Sequence, residues 1–120
     1  MIIGEVVERT GGSYLRCTPE SASIDNEQGV LDLLGYGYEM ETPRLVLDEA
    51  HLHPNFFDLS TGLAGALLLK LSNYRVQTAV VADLQAIKSA RFQELIRESN
   101  RRGPIRFFNT AAEAEDWLLG

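Results

Sequence analysis

Most residues of this chain that could do chemistry fall in one stretch, from Asp48 to Thr61. Asp48-Glu49-Ala50-His51 follows an apolar run and spells a nucleotide-hydrolysis motif of the helicase type. That chemistry needs a phosphate cradle, G-x-x-x-x-G-K-[ST], and no Gly-Lys dipeptide occurs in the chain. The match is coincidence. His51 and His53 are two apart, so in extended chain both imidazoles point to one side. With Asp48, Glu49 or Asp58 they have the makings of a zinc site. Nothing in the spacing fixes a third ligand, so no metal and no other cofactor is assigned. Ser60 and Thr61 lack the G-x-S-x-G elbow of a serine nucleophile. Cys17 reads as a small hydrophobe in an edge strand. No catalytic residue is therefore assigned.

The elements that must position these residues follow from periodicity and turn chemistry. Ile2 to Glu8 and Ser13 to Cys17 are short strands around Thr10-Gly11-Gly12, a β-hairpin. Asp25 is placed to cap a helix that runs to about Leu34 and ends at Gly35 and Gly37. Gly35-Tyr36-Gly37-Tyr38 could offer two aromatics to a ligand, but a helix end explains its glycines better. Pro43 stops anything helical before Arg44-Leu45-Val46-Leu47, whose consecutive apolar residues suit a strand buried on both faces. Asp58 is then expected to cap a helix with Leu59, Leu63, Leu67 and Leu71 on one stripe. Gly62, Ala64, Gly65 and Ala66 keep that helix thin, so that another backbone can approach.

Val76 to Val81 is the next strand, and Ser89 to Arg101 a helix that Gly103-Pro104 terminates. Ile105 to Phe108 is the last strand. Thr110-Ala-Ala-Glu113 forms a capping box before the final helix, which carries Ala114, Trp117 and Leu118. The predicted order is β-β-α-β-α-β-α-β-α. Strands alternating with helices imply α/β: a small, mostly parallel sheet flanked by helices, with the N-terminal hairpin as an antiparallel edge.

Composition narrows the function classes. The 120 residues suit a single domain, 1–120, with a core that needs no staples. One cysteine allows no internal disulfide and fits a reducing, cytoplasmic setting. No apolar run is long enough to cross a membrane. A net charge of −6 argues against a general grip on nucleic acid. The charge is uneven: residues 1–58 hold three Arg against eleven Asp and Glu, whereas residues 83–108 sum to +3. The basic segment reads first as a solvated helix face, and second as a docking surface for an acidic partner.

From Arg44 onward the chain resembles the second half of a STAS domain, the fold of bacterial anti-anti-sigma-factor proteins. The order is strand RLVLD, a loop, Asp58-Leu59-Ser60-Thr61-Gly62-Leu63 opening a Leu-rich helix, strand VQTAVV, a charged helix, strand IRFF and a short last helix. In that family the helix opens with Asp-Ser-Ser-Gly or Asp-Ser-Thr-Gly, and the residue before the glycine is phosphorylated. Thr61 holds that place here and Ser60 the one before it, while Leu59 puts Asp58 one position out of register. The chain is also similar, over most of its length, to a family of uncharacterised bacterial proteins, a domain of unknown function. That likeness lies at Phe56-Phe57-Asp58-Leu59, Leu63-Ala64-Gly65, Asn73-Tyr74 and Glu98-Ser99-Asn100, and it brings no activity with it.

These readings lead to a STAS-like, partner-binding regulatory module in bacteria. Its working surface is Asp48, His51, His53, Asp58, Ser60 and Thr61, at the end of a parallel sheet where open α/β folds place ligands. One alternative is a small-molecule-binding protein or enzyme that uses the same 48–61 loop. A second is a structural homodimer through Leu67-Leu68-Leu69.

Overall fold

A computed structural model describes residues 1–37 and 44–120. Tyr38 and the helix stop at Pro43 lie outside the described residues. The strands are β1 (Gly4–Arg9), β2 (Gly12–Cys17), β3 (Arg44–Asp48), β4 (Gln77–Val81) and β5 (Ile105–Phe108). The helices are α1 (Glu27–Gly37), α2 (Leu63–Asn73), α3 (Ala90–Arg102) and α4 (Ala111–Leu119). They alternate in the order that the sequence implies.

The five strands lie in one sheet in chain order, β1-β2-β3-β4-β5. The hairpin β1-β2 is antiparallel, with Val6 opposite Leu15 and Glu5 opposite Arg16. The pairs β2-β3, β3-β4 and β4-β5 are parallel. Alternation along each strand sorts the core into two clusters. One packs Leu15, Leu45, Leu47, Val80 and Phe107 against α1, α2 and α3, through Val30, Leu33, Ala64, Leu67, Leu71, Phe92 and Ile96. The other packs Val7, Tyr14, Val46, Ala79 and Val81 against α4, through Ala114 and Leu118. Leu45, Val46 and Leu47 are all buried, as a strand covered on both faces requires.

The sequence misplaces two helix boundaries. Asn26 rather than Asp25 caps α1, its Oδ1 accepting the Gly29 N–H at 3.0 Å. The helix runs past Leu34 and through Gly35, and its last described residue is Gly37. Gly37 is a packing glycine: a Cβ there would lie 2.5 Å from both methyls of the buried Leu15. The thin flank of α2 divides as well. Ala64 is fully buried, whereas Gly65 is exposed with nothing within 4 Å of a notional Cβ.

The other helix ends agree with their sequence signals. Ser89 Oγ accepts from the Phe92 N–H at 3.2 Å and caps α3. Thr110 Oγ1 accepts from the Glu113 N–H at 3.2 Å to open α4, and its hydroxyl donates to the Glu113 carboxylate at 3.0 Å. The end of α2 is unusual: the residue after its C-cap is Arg75 at φ 56, a left-handed conformation that costs a side-chain-bearing residue about 1 kcal/mol.

The two glycines make opposite predictions. Gly37→Ala should destabilise by about 1–3 kcal/mol, because the added methyl has no space beside Leu15. Gly65→Ala should stabilise by about 0.5–1 kcal/mol, because it removes backbone freedom at an open helical position. Urea denaturation of the two variants beside the parent reads both signs.

Candidate functional site

Between β3 and α2 the chain makes three short 3₁₀ turns, Glu49–His51, Pro54–Phe57 and Leu59–Thr61. Each is opened by the side chain before it. Asp48 Oδ1 accepts the Ala50 N–H at 2.9 Å, and His53 Nδ1 accepts the Asn55 N–H at 3.1 Å. Asp58 Oδ1 accepts both the Ser60 N–H at 3.0 Å and the Ser60 hydroxyl at 2.6 Å. Asp58 therefore caps the third turn and not α2, correcting the expectation that the long helix begins there. Gly62 at φ 77 breaks the path, and α2 starts at Leu63.

The turns sit on buried anchors. Leu52 and Phe56 point into the core, and the Phe56 ring lies 6.0 Å from that of Phe92, which lies 5.9 Å from Phe107. The Ile24 N–H donates to the His51 carbonyl at 2.7 Å, and the His53 N–H donates to the Ile24 carbonyl at 3.0 Å. This bridge ties the loop to the chain just before α1.

The two histidines do not share a side. His51 belongs to a 3₁₀ turn, where the two-residue alternation of extended chain no longer holds. It lines a groove of about 480 Å³ with Tyr14, Arg16, Cys17 and Asp48, at the carboxyl ends of β2 and β3. His53 lines a second groove, about 470 Å³, with Asn26, Asn55, Thr61 and Gly62, between the starts of α1 and α2. Because its Nδ1 accepts a backbone N–H, the neutral His53 ring carries its proton on Nε2. Among the described residues no three His, Cys, Asp or Glu side chains come close enough to hold a metal ion.

Tyr14, in the first groove, donates its hydroxyl to Glu115 Oε2 at 2.6 Å, and Glu115 also pairs with Arg9 at 3.3 Å. Burial, then the hydrogen bond to this carboxylate, pushes the Tyr14 phenol above its usual range. Burial likewise pushes the Cys17 thiol up, so the thiolate needed for nucleophilic chemistry is disfavoured. The Ser60 hydroxyl, then the Ser60 N–H, holds the Asp58 carboxyl below its ordinary value.

Ser60 and Thr61 are both exposed but differently engaged. The Ser60 hydroxyl meets Asp58. The Thr61 hydroxyl lies 2.8 Å from the carbonyls of Asn55 and Asp58, to which it donates, and it accepts from the Leu63 N–H at 3.3 Å. The Leu67-Leu68-Leu69 surface resolves into parts: Leu67 is fully buried, Leu68 is partly buried, and Leu69 stands 63% exposed. A contact through all three is excluded by the core position of Leu67.

Sequence reasoning passed over several side chains that hold the frame. Asn100 brackets Phe107 on β5, donating to its carbonyl at 3.1 Å and accepting from its N–H at 2.7 Å. Gln93 donates to the Leu84 and Ile87 carbonyls at 2.8 and 2.9 Å. Glu98-Ser99-Asn100 and Phe56-Phe57-Asp58-Leu59 thus contain residues that serve the frame.

The chain belongs to the family described as Domain of unknown function (DUF4180), whose pattern matches residues 9–118. No curated protein and no solved structure matches it. Among the described residues no helix is long and apolar enough to cross a membrane.

The Asp58 clasp has a pH signature. A lowered carboxyl value means that its stabilising contribution is present above the ordinary aspartate value of 3.8 and is lost as pH falls through the lowered one. In a carboxyl ¹³C titration Asp58 should have its midpoint below 3.8, and Ser60→Ala should move that midpoint back toward 3.8. An unchanged midpoint in Ser60→Ala would remove the clasp as its cause.

Proposed function

We propose that this domain is a STAS-like module of bacterial regulation that binds a protein partner on the loop of residues 49–62. The observation that carries this reading is the construction of the loop. Asp48, His53 and Asp58, the side chains best suited to catalysis or metal binding, have acceptor atoms committed to holding the loop's own turns. A loop held this way and pinned by Leu52 and Phe56 loses little conformational freedom on docking, which favours recognition. Its position past the carboxyl end of β3 is the end at which open α/β sheets place their ligands.

A second reading, binding of a small molecule, has one observation in its favour. His51, Arg16 and Asp48 converge on the groove of about 480 Å³, a volume within the usual range for ligand sites. Tyr14 and Cys17 line it too, but burial raises both, so neither readily gives up a proton to act as base or nucleophile, and the other surroundings are Val46, Pro19, Ala50 and Ala111. The groove is therefore the second occupant considered, and binding on the loop comes first.

The regulatory part of the proposal moves from Thr61 to Ser60. Thr61→Glu removes a hydroxyl that ties Asn55, Asp58 and Leu63 together, and should destabilise by about 1 kcal/mol. Ser60→Glu breaks only the exposed Asp58 clasp and adds charge to the docking face, so it should lower the melting midpoint less than Thr61→Glu does and lose the partner. A photo-crosslinking residue at position 60, in the native host, should capture one protein that competing parent domain displaces. The same residue at Lys88 should not capture it. Adducts of equal yield at both positions, or displacement by Ser60→Glu domain as complete as by parent domain, would contradict docking on the loop.

A further inference from the structure

At the opposite end of the sheet, beside the starts of β4 and β5, lies a shallow, open cavity of about 560 Å³. Arg75, Arg102 and Arg106 line it from three separate elements: the turn after α2, the last residue of α3, and β5. Among the described residues no carboxylate lines this cavity, and none of the three arginines has one within 4.0 Å. In a chain of net charge −6, three unpaired guanidiniums facing one cavity repel each other where acidic partners were abundant.

Arg102 has an ordinary explanation, since cations in the last turn of a helix complement its dipole. Arg75 does not. The Val76 N–H donates to the Leu71 carbonyl and the Arg75 N–H to the Ser72 carbonyl, both at 3.0 Å. These bonds close α2 in the Schellman manner and make Arg75 the left-handed residue that is usually glycine. A strained position keeps an arginine, and that residue lines the cavity. Arg106 is held in place beforehand. Its Nε donates to the Gly103 carbonyl at 3.3 Å, and its guanidinium lies 5.0 Å from the ring centroid of Trp117. Trp117 is itself packed on Phe108 at 5.6 Å.

We propose that this cavity binds a small phosphorylated ligand, a phosphomonoester or a diphosphate. Guanidinium forks match phosphate oxygens two at a time, and a stacked, pre-set arginine loses less freedom on binding. A phosphate monoester carries about −1.5 to −2 charge, enough to offset most of the three cations, which a single carboxylate is not. The cavity has room for more than the bare anion. Trp117 serves as the rest for Arg106, so recognition is of phosphate and not of an aromatic base. The proposal is independent of the loop at the other end of the sheet.

The test titrates the full chain with inorganic pyrophosphate at about 150 mM salt, where loose surface attraction is largely screened. Calorimetry and ¹H–¹⁵N spectra should report saturable one-to-one binding, with shifts at Arg75, Gln77, Arg106 and the Trp117 indole. Arg75→Gly should weaken binding about tenfold, the loss expected for one charge-assisted partner, and should raise the melting midpoint because glycine takes the left-handed conformation freely. Arg106→Lys, which keeps the charge and loses the fork, should weaken binding similarly and carries the same reading if Arg75→Gly fails to fold. Arg91→Gln, on α3 outside the cavity, should leave binding unchanged. Absence of saturable binding overturns the proposal, as does an Arg91→Gln loss equal to that of Arg75→Gly. It is also overturned if a glutamate-rich peptide binds with the same variant dependence and pyrophosphate does not, which would reassign the surface to an acidic protein segment.

Discussion

Handedness of the parallel connection governs the arrangement. From β2 to β5 each strand is joined to its parallel neighbour through a helix, and such crossovers are right-handed in nearly all proteins. Three successive steps in one direction place α1, α2 and α3 together on one face of the sheet. The second face is left to α4, the helix after the last strand. The core divides accordingly, with a large cluster under three helices and a small one under α4. One helix of nine residues packs over β4, β5 and part of β2, and cannot cover five strands. The groove over Tyr14, Arg16, Val46 and Asp48 lies where its cover ends. The hydrogen bond from Tyr14 to Glu115 fastens the edge of that cover to the hairpin.

The same topology decides where binding surfaces can form. At the carboxyl end of the strands, the connection from β3 to α2 is long, and its turns are closed by their own side chains over Leu52 and Phe56. At the amino ends of β4 and β5 the connections from α2 and α3 are tight, and they bring arginines from three elements to one cavity. The two ends of one sheet present surfaces of different character, a loop clasped by its own side chains and a depression lined by arginines.

Much of the architecture was legible in the sequence because its signals are local. Leu45-Val46-Leu47 and the run from Val76 to Val81 are short, apolar and bounded, and Ser89 and Thr110 carry cap chemistry that acts within one turn. The cap of α1 at Asn26 was a choice between adjacent cap residues, whereas at Gly37 and Asp58 a local signal meets a contact distant in sequence. Gly37 reads as a helix stop, yet its smallness serves Leu15 on β2. Asp58 reads as the cap of a long helix, yet burial of Phe56 against Phe92 winds the preceding chain into turns of their own. The pairing of His51 with His53 assumed extended backbone, and a 3₁₀ turn sends them to different grooves. Arg75, Arg102 and Arg106 carried no motif, since only the folded sheet brings them together; the positive balance of residues 83–108 was a trace of Arg102 and Arg106, and nothing pointed to Arg75. The functional reading had less to draw on, because the family match brings no activity and the loop residues have structural duties.

The central claim is that residues 49–62 form a pre-organised surface and not a mobile lid. Backbone ¹⁵N relaxation of the free domain tests it most directly, since order parameters separate a rigid loop from a flexible one on the fast timescale. Values near those of the strands, about 0.85, through Glu49 to Gly62 are expected for turns clasped by Asp48, His53 and Asp58. Values below about 0.6 across Asn55 to Thr61, with rigid strands on either side, would contradict it and return the loop to the class of gates that close over a substrate.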